Sequence, residues 1–333
     1  MTLLELVGRL EHVCYRYRAR AFLPFLEARG WQVEAQAIPR GWLSRRQIWR
    51  AARSADGVLL QRKLLDASHL RALRRNAARL VFDFDDAIFQ RASFAERAPS
   101  RRRWRRFRQT VQLADVVIAG NDFLAESAAR FTDSEKIHVV PTCLQLSDYP
   151  LVVHGSSVQP GEDASFEMVW IGSSSTVTYL EHFRDTLDEV GRAVPDAKLK
   201  VICDRFPKFE QLGVRPIHWS QETEAAELAT ADVGVSVLTD DDWSRGKCGL
   251  KVLQYMAAGL PVVANPVGVH NEIIEPGRSG ILARTPSEWV AAIRELIADR
   301  DLAKRMGRRG REIVEEKFSI SRWAPRLAEL LAG

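Results

Sequence analysis

The stretch Gly246-Lys-Cys-Gly-Leu-Lys-Val-Leu-Gln-Tyr-Met-Ala-Ala-Gly-Leu-Pro-Val-Val-Ala264 decides the fold class. Its glycine-bearing loop opens an amphipathic helix, Gly259 ends that helix, and Pro261 begins a buried strand. A helix that leads directly into a buried strand is part of a βαβ unit, in which the helix joins two parallel strands. The stretch therefore predicts an α/β fold.

The same alternation of short Val-, Ile- and Leu-rich runs with longer amphipathic segments extends along the chain and predicts two parallel sheets. In the first half, the predicted strands are Leu3–Val7, Trp31–Ala37, Gly57–Gln61, Arg79–Asp83, Asp115–Ala119 and Ile137–Val140. In the second half, they are Glu167–Ile171, Lys198–Cys203, Pro216–Trp219, Asp232–Val237, Pro261–Ala264 and Gly280–Ala283. We expect helices between the strands, two more from Ser287 to about Phe318, and a last amphipathic segment from Ile320 to Leu331.

The stretch from His154 to Ser165 is rich in turn-forming residues and predicts a linker between two Rossmann-like domains. We expect the domains at residues 1–153 and 166–318. A C-terminal helix at 319–333 then closes the chain, and crossing back to the first domain is one possible course for it. Two such domains place a cleft between the carboxyl ends of their strands, where these sheets bind ligands. This arrangement alone is compatible with many enzymes.

Composition excludes several classes of protein. With 333 residues, 46% of them hydrophobic, the chain can bury two cores, which argues against disorder. The longest uncharged run, Val252–Val269, contains two prolines and two glycines, so we expect no membrane span. Glu5 interrupts the first apolar run and no positively charged leader precedes it, so we expect no secretory signal. The four cysteines are scattered singly, without zinc or disulfide spacing, which favours a reducing cytoplasm.

Charge is distributed unevenly. Residues 1–150 hold 26 Lys and Arg against 16 Asp and Glu, whereas residues 151–333 hold 22 against 27. Six arginines lie between Arg101 and Arg108, around Trp104 and Phe107. At helical spacing, a basic segment with aromatic anchors suits an anionic lipid surface or an anionic acceptor; a solvated arginine-rich face is the alternative. Because no recognisable nucleic-acid-binding motif accompanies the segment, we expect no nucleic-acid partner.

The loop before the helix of the quoted stretch has the chemistry of an anion site. The start of a helix offers backbone N–H groups and the positive end of the helix dipole, which suit a diphosphate. Lys247, in the loop, and Lys251, one turn later, would add positive charge on the same side, next to Gly246 and Gly249. The alternative is that both lysines are solvated.

On these residues, the chain resembles the family-four retaining nucleotide-sugar glycosyltransferases of GT-B fold. The tail Met256-Ala-Ala-Gly-Leu-Pro-Val-Val-Ala264 matches the donor motif of that family, and Val267-Gly268 with Glu272-Ile273-Ile274 resembles the loop and helix that follow it. The two glutamates of the motif are replaced by Gly246 and Gln254. An amide can still hydrogen-bond a ribose diol.

A second departure lies at Ile171-Gly-Ser-Ser-Ser-Thr-Val-Thr-Tyr-Leu180, where the family has Gly-Arg. Hydroxyl and exposed N–H groups here can hold phosphate oxygens without adding charge, so Lys247 and Lys251 would supply it. The alternative is that Ser174 or Ser175 caps a helix.

Four other runs resemble a bacterial subgroup with a Gly-Lys-Cys-Gly-Phe/Leu-Lys loop. They are Tyr15-Arg-Tyr-Arg18, Asp83-Phe-Asp-Asp-Ala-Ile-Phe89, Ala119-Gly-Asn-Asp-Phe-Leu124 and Val140-Pro-Thr-Cys143.

The resemblance implies a nucleotide sugar as co-substrate, no other cofactor, and a C-terminal donor domain. The acceptor, a glycan or lipid-linked molecule in bacterial surface-polysaccharide synthesis, would bind the N-terminal domain, in the cytoplasm or at the inner face of the membrane. It further implies transfer with retention, without a protein nucleophile. A sugar-nucleotide epimerase and a catalytically inactive binding protein are the alternatives.

Acidic residues follow two predicted strands. Asp83, Asp85 and Asp86 could bind a metal, act as a general base or accept hydrogen bonds from acceptor hydroxyls, or one of them could cap a helix. We prefer acceptor binding, with no metal. Asp240–Asp242 and Trp243 contact the sugar or form a solvated turn.

The predicted site residues fall into three groups. The catalytic residues are Lys247, Lys251 and Asp86. The donor-binding residues are Gly172, Ser173, Ser174, Ser175, Asp204, Asp242, Trp243, Gly246, Cys248, Gly249, Gln254 and Gly268. The acceptor-binding residues are Arg16, Arg18 and Asp85.

Overall fold

A computed structural model describes residues 1–39, 41–95, 99–150 and 165–333, without the side chains of 42 and 43. Of the predicted linker, 154–164 lies outside the described residues. The described strands are β1 (Thr2–Val7), β2 (Gln32–Ala37), β3 (Gly57–Gln61), β4 (Leu80–Phe84), β5 (Val116–Ala119), β6 (Ile137–Val139), β7 (Phe166–Ile171), β8 (Ala197–Cys203), β9 (Gly213–His218), β10 (Val233–Ser236), β11 (Val262–Ala264) and β12 (Gly280–Leu282). All twelve predicted strands are confirmed, the largest shift being the start of β9, three residues before its predicted position.

The helices lie between the strands and after them. The described α-helices are α1 (Val13–Arg18), α2 (Leu23–Glu27), α3 (Trp42–Ser54), α4 (Ala67–Asn76), α5 (Arg101–Leu113), α6 (Asp122–Ala129), α7 (Thr178–His182), α8 (Arg184–Ala193), α9 (Glu224–Ala229), α10 (Asp242–Arg245), α11 (Leu250–Ala257), α12 (His270–Ile273), α13 (Pro286–Ala298), α14 (Arg300–Lys317) and α15 (Ile320–Ala332). Short 3₁₀ helices occur at Arg20–Phe22, Ser134–Lys136 and Leu146–Asp148. Within the described ranges, no helix is both long and apolar enough to cross a bilayer.

The chain divides into two compact units. Unit 1 consists of Met1–Cys143, Asp241–Cys248 and Phe318–Gly333, and unit 2 of Leu144–Asp240 and Gly249–Lys317. The division differs from a simple split at a linker, because a short segment before α11 and the C-terminal helix α15 both pack in unit 1.

Unit 1 is a parallel six-stranded sheet with the order β2-β1-β3-β4-β5-β6. Strands β3, β4 and β5 are buried along their whole length, which explains their continuous runs of apolar residues. One core contains residues of α3, α4, α5 and α6, and a second contains residues of α1, α2 and α15. Helices α3, α4 and α5 contact one another in sequence.

Unit 2 is a second parallel six-stranded sheet, with the order β12-β11-β10-β7-β8-β9. This is the Rossmann order, in which the sheet grows outward in both directions from its first strand. Its core brings Trp170 of β7 together with Trp289 of α13, both of them buried. Each sheet therefore has a switch point, where neighbouring strands lead to connections on opposite sides: β1 and β3 in unit 1, β7 and β10 in unit 2.

Candidate functional site

At the switch point of unit 2, a tyrosine lies between the ends of two strands. Strands β7 and β10 pair only at Met168–Val233 and Val169–Gly234. Beyond that pairing, the Tyr255 hydroxyl accepts a hydrogen bond from the Ile171 N–H at 3.1 Å and donates one to the Val235 carbonyl at 3.2 Å. Ligands of open α/β sheets bind in the crevice at such a point. Tyr255 of α11 thus holds the ends of β7 and β10 together at the base of this crevice.

The turn after β7 has the glycine and hydroxyl groups that the sequence predicts, but the N–H groups of Ser173 and Ser174 are already used. Ser173 N–H donates to the Thr176 hydroxyl at 3.1 Å, and Ser174 N–H donates to Asp204 at 2.5 Å. The Ser173 and Ser175 hydroxyls are exposed and lie 2.8 Å apart. The turn therefore offers hydroxyls to a ligand, whereas Asp204 holds the turn itself. The capping alternative for Ser174 and Ser175 is wrong, since the residue before α7 is Val177 and no side chain caps it.

The first turn of α11 is the cationic part of the crevice. Gly249, with φ of 68°, begins the helix in the left-handed conformation that glycine tolerates best. A methyl group on Gly249 would lie 2.5 Å from Ile273 and 3.1 Å from Val269, so the turn packs closely against α12 and the residue before it. The Lys251 ammonium lies 5.0 Å from the centre of the Trp170 ring. That ring also abuts Gly172, where a side chain would collide with it. Lysine, helix start and glycine turn thus meet at one edge of the sheet.

Neutral hydrogen bonds hold the layer behind this edge. Buried His270 contacts the Ser236 hydroxyl at 3.0 Å through Nε2 and the Asn265 carbonyl at 2.8 Å through Nδ1. Burial, with a contribution from nearby Lys251, lowers the pKa of His270 to about 4, so the ring is neutral at pH 7. Gln254, which is 4% exposed, donates to the Tyr149 hydroxyl at 3.1 Å. Its predicted contact with a ribose stays a prediction.

The segment 241–248, predicted to belong to the donor loop, packs within unit 1. Asp241 caps α10 through the Ser244 N–H at 2.9 Å, and a side chain at Gly246 would lie 2.7 Å from the Ala87 nitrogen. Half-buried Cys248 donates to the Asp85 carbonyl at 3.2 Å. A glutamate, as the family motif has, would therefore not fit at position 246 without a shift in the backbone.

Lys247 lies in the loop before α11, and Lys251 lies in the first turn of that helix. That the two lysines add charge on one side stays a prediction. The Lys247 ammonium lies 3.8 Å from Asp86 and 5.5 Å from the centre of the Trp243 ring. Asp242 beside this ring accepts a hydrogen bond from Gln90 at 3.2 Å. These residues are all part of unit 1.

The three aspartates at the end of β4 are paired with cations of unit 1. Buried Asp83 accepts hydrogen bonds from Arg18, whose guanidinium also donates to the Val140 carbonyl at 2.6 Å. Arg62 pairs with Asp86 and lies 3.6 Å from Asp85. Although burial opposes its charge, Arg62 lowers the pKa of Asp85. No helix starts directly after these residues, so the helix-capping alternative is wrong.

Cys14, Asp85 and Asp86 lie close enough together to offer three ligands to a metal ion. The Arg62 guanidinium, however, already contacts all three side chains. A metal ion would have to compete with this fixed positive charge. Burial also raises the pKa of Cys14 well above the usual value of a thiol, which disfavours the thiolate that a metal requires.

Comparison with known proteins identifies the architecture. The structure matches a sucrose-phosphate synthase from Thermosynechococcus elongatus over 99% of this chain and 98% of that chain, with a TM-score of 0.77 and 16% sequence identity. It also matches Anabaena HepE in complex with UDP-glucose over 100% and 99% of the two chains, with a TM-score of 0.68 and 17% identity. The fold is GT-B.

Sequence comparison identifies a known glycosyltransferase domain in the second half of the chain. Residues 165–299 match the family model described as Glycosyl transferases group 1. A GDP-mannose-dependent alpha-(1-6)-phosphatidylinositol monomannoside mannosyltransferase from Mycobacterium tuberculosis is 34% identical over 87 residues, which are 26% of this chain and 23% of that protein. The chain thus spans less than a quarter of the length of this relative. These matches support a GT-B glycosyltransferase.

Within the GT-B fold, the predicted aromatic anchors of α5 are wrong. Phe107 is fully buried, and the Trp104 ring packs 4.4 Å from that of Phe89, centre to centre. Both side chains pack against the core of unit 1, whereas five of the six arginines of α5 are exposed. Of the predicted acceptor residues, Arg18 is buried in its ion pair, and half-buried Arg16 lies 4.8 Å from the centre of the Tyr17 ring.

Several residues at the two switch points were absent from the sequence-based predictions. In unit 2 these are Trp170 and Tyr255, whose apolar context in the sequence is that of any core residue. In unit 1 they are Arg62 and Lys63, which follow the predicted strand Gly57–Gln61 directly. Their position after a buried strand was a usable signal, because carboxyl ends of parallel strands are where such sheets bind ligands.

Proposed function

We propose that this protein is a glycosyltransferase that takes a sugar from a nucleoside-diphosphate sugar. The observation that carries the proposal is the grouping of Lys251, the start of α11 and the Gly172 turn at the switch point of unit 2. The match of residues 165–299 to group 1 glycosyl transferases supports it. The diphosphate binds between the N–H groups at the start of α11 and the hydroxyls of Ser173 and Ser175.

The chemistry requires positioning and charge stabilisation more than a reactive side chain. As the sugar leaves, negative charge develops on the diphosphate, and the Lys251 ammonium with the positive end of α11 stabilises it. The departing phosphate takes the proton of the attacking hydroxyl on the same face of the sugar, so the anomeric configuration is retained. For unit 1, we propose that Lys247 acts as a cation and that Asp86 is a carboxylate that binds the acceptor. No covalent intermediate with the protein forms.

The acceptor is a glycan or lipid-linked molecule, and the setting is bacterial surface-polysaccharide synthesis at the inner face of the membrane. The name of the mycobacterial relative describes a mannosyltransferase and includes phosphatidylinositol monomannoside, a lipid-linked sugar. The excess of positive charge in the first half of the chain supports an anionic acceptor or surface.

Calorimetric titration with UDP, GDP and ADP, followed by product analysis with the matching nucleotide sugars, tests the proposal. We expect binding of at least one nucleoside diphosphate and sugar transfer that depends on an acceptor. Conversion of the nucleotide sugar without any acceptor would indicate an epimerase. Binding without turnover across a panel of acceptors would indicate an inactive binding protein.

The stereochemistry has its own test. The proton NMR coupling constant of the anomeric proton in the first-formed product shows whether the configuration of the donor is kept. We expect the same configuration as in the donor. An inverted product would contradict the proposed role of the leaving phosphate.

Three adjacent helices of unit 1 form an arginine-rich face. Helices α3, α4 and α5 contain four, three and six arginines and no acidic residue. The exposed members are Arg46, Arg50, Arg53, Arg71, Arg75, Arg101, Arg102, Arg103, Arg105 and Arg108. The helices touch in sequence, and Arg53 of α3 donates to Asn76 of α4 at 3.0 Å. The arginines therefore belong to one surface instead of three separate ones.

This arginine face is the membrane-contacting surface that we propose. Each basic residue near an anionic bilayer contributes about 1 kcal/mol of attraction. We expect co-sedimentation with phosphatidylcholine vesicles that contain phosphatidylglycerol, none with phosphatidylcholine alone, and loss of binding in high salt. Arg101→Glu, Arg105→Glu and Arg108→Glu together should abolish sedimentation, whereas three charge reversals in unit 2, Arg294→Glu, Arg305→Glu and Arg308→Glu, should not. Equal binding by both triple variants would refute this assignment.

A further inference from the structure

A pocket of about 370 Å³ lies in unit 1 where strands β1 and β3 end. It is lined by Gly8, Arg9, His12, Cys14, Gln61, Arg62 and Lys63. Strand β1 leads to β2 on one side of the sheet, and β3 leads to β4 on the other, so the pocket lies at the switch point. Its volume is within the range of about 300–1,000 Å³ that is usual for ligand pockets.

The lining is cationic. Arg9, Arg62 and Lys63 are basic, and among the lining residues of the described ranges none is a carboxylate. The charge of Arg62 is balanced by Asp85 and Asp86 behind it. Arg9 and Lys63, both exposed, add two more basic side chains to the lining. A small anion would therefore be attracted to this pocket.

The backbone of the pocket is shaped around its cations. The Lys63 side chain lies against Gly8, where a methyl group would collide with its ε-carbon and lie 2.9 Å from Nζ. Arg62 has a φ of 58°, a left-handed conformation that is uncommon for a residue with a side chain. Its N–H is held by the Asp83 carbonyl at 2.7 Å. Strained residues of this kind concentrate at ligand sites.

His12 adds a neutral polar group to the lining. Its Nδ1 accepts a hydrogen bond from the Cys14 N–H at 3.1 Å, which leaves Nε2 as the protonated nitrogen of the neutral ring. Burial, with a contribution from Arg62, lowers the pKa of His12. The pocket thus combines two outer cations, one fixed guanidinium and the ring of a histidine.

We infer that this pocket binds a phosphate group carried by the sugar acceptor. Only the statement that the phosphate belongs to an acceptor rests on the proposed function. The binding of the phosphate itself does not depend on sugar transfer. Arg9 and Lys63 neutralise the phosphate, Arg62 and His12 border it, and the remaining volume holds the part of the acceptor next to it. This assigns an anionic acceptor to the protein instead of a neutral glycan.

Calorimetric titration of the full chain with glycerol 1-phosphate, and with glycerol as the neutral probe, tests the inference at constant ionic strength. We expect binding of glycerol 1-phosphate alone. Arg9→Ala and Lys63→Ala should each weaken it by about tenfold or more, as expected when a charge-assisted hydrogen bond is lost. The matched controls are Arg20→Ala, an exposed arginine of unit 1, and Lys304→Ala, an exposed lysine of unit 2. Both should bind like the wild type.

Titration of the same variants with the nucleoside diphosphate separates this inference from the proposed function. Arg9→Ala and Lys63→Ala should bind the nucleotide as the wild type does. The inference is overturned if glycerol 1-phosphate binds no better than glycerol, if both variants bind it normally, or if saturating nucleotide displaces it. A protein that binds glycerol 1-phosphate in this way but no nucleotide would instead refute the proposed function.

Discussion

The carboxyl edges of the two sheets differ in the interactions that hold their polar side chains. In unit 1, the edge is built from ion pairs: Arg18 with Asp83, and Arg62 with Asp85 and Asp86. In unit 2, the layer behind Lys251 is held by neutral hydrogen bonds of histidine, serine, asparagine, glutamine and tyrosine side chains, and Asp204 is the carboxylate that holds the Gly172 turn. The same layered architecture thus supports two electrostatic designs.

The difference matters for what each edge can bind. A buried ion pair holds its members in place but is costly to disturb, because removal of one partner leaves a buried charge unpaired. A neutral network carries no such charge, so a dianion that arrives near Lys251 is attracted without first displacing a carboxylate of that network. The neutral edge is the better place for a diphosphate. The charged edge is the better place for groups that must keep fixed positions before the acceptor binds.

The largest effect is expected when the buried ion pair between Arg18 and Asp83 is broken. Arg18→Met should lower the free energy of unfolding of unit 1 by about 3–5 kcal/mol, because Asp83 would be left buried without its partner. Burial opposes the charge of Arg18, but Asp83 raises its pKa, so the guanidinium is charged in the folded protein. Guanidinium chloride unfolding measures the loss, and hydrogen exchange shows whether it is confined to unit 1.

The control removes both charges. Arg18→Met together with Asp83→Leu should recover most of the lost stability, since an apolar pair of similar volume can replace a buried ion pair. If the single variant is as stable as the wild type, the ion pair does not hold this edge.

The next effect concerns the cation of unit 2. Lys251→Met keeps an apolar stem against Trp170 and removes the charge, so kcat should fall by about 10²–10³ while the melting temperature stays nearly unchanged. Steady-state kinetics and thermal unfolding measure the two quantities. Lys304→Met, an exposed lysine of unit 2, is the matched control and should change neither. Wild-type activity in Lys251→Met would remove the diphosphate from this position.

The sequence was sufficient to predict the fold, because the runs of apolar residues and the spacing between them are local signals. Each buried strand is a short run of apolar residues, as in Leu80–Phe84, and each run was visible without its neighbours. The start of β9 was less visible, since its residues are mostly exposed or half-buried. Its pairing with β8 is what makes it a strand.

The candidate site was only partly predictable, because its geometry depends on residues far apart in sequence. Spacing placed Lys247 in the loop and Lys251 one turn later, but it did not show that Gly249 between them adopts a left-handed conformation. Asp204 comes from a different strand than the Ser174 N–H that it binds, 30 residues away. No local pattern shows that this N–H is already used. Trp104 looked like an exposed aromatic among arginines, although its ring packs against Phe89.

A smaller effect distinguishes the two units by pH. Burial, together with Asp83, raises the pKa of Glu5 in unit 1 to about 7, although a hydrogen bond from Tyr15 opposes the shift. The folded state therefore binds more protons than the unfolded state between about pH 4.5 and 7, and this group makes unit 1 less stable as pH rises through that window. Glu5→Gln should stabilise unit 1 by up to about 3 kcal/mol at pH 8 and by almost nothing at pH 4. Denaturant unfolding at both pH values measures the difference, and equal gains at both would contradict the assigned pKa.

The opposite pH response is expected in unit 2 and has the smallest magnitude. The pKa of His270 is lowered to about 4, mainly by burial, so between pH 6.5 and 4 the folded state binds fewer protons than the unfolded one. Its contribution to stability is complete above pH 6.5 and is lost as pH falls, by about 2 kcal/mol at pH 5. Hydrogen exchange at pH 7 and 5, corrected for the intrinsic rate, should show β10 and β11 less protected at the lower pH. His270→Gln should abolish this dependence, because an amide does not titrate. If the loss persists in that variant, another group of unit 2 is responsible, and the contrast between a neutral edge and an ion-paired edge does not extend to their pH behaviour.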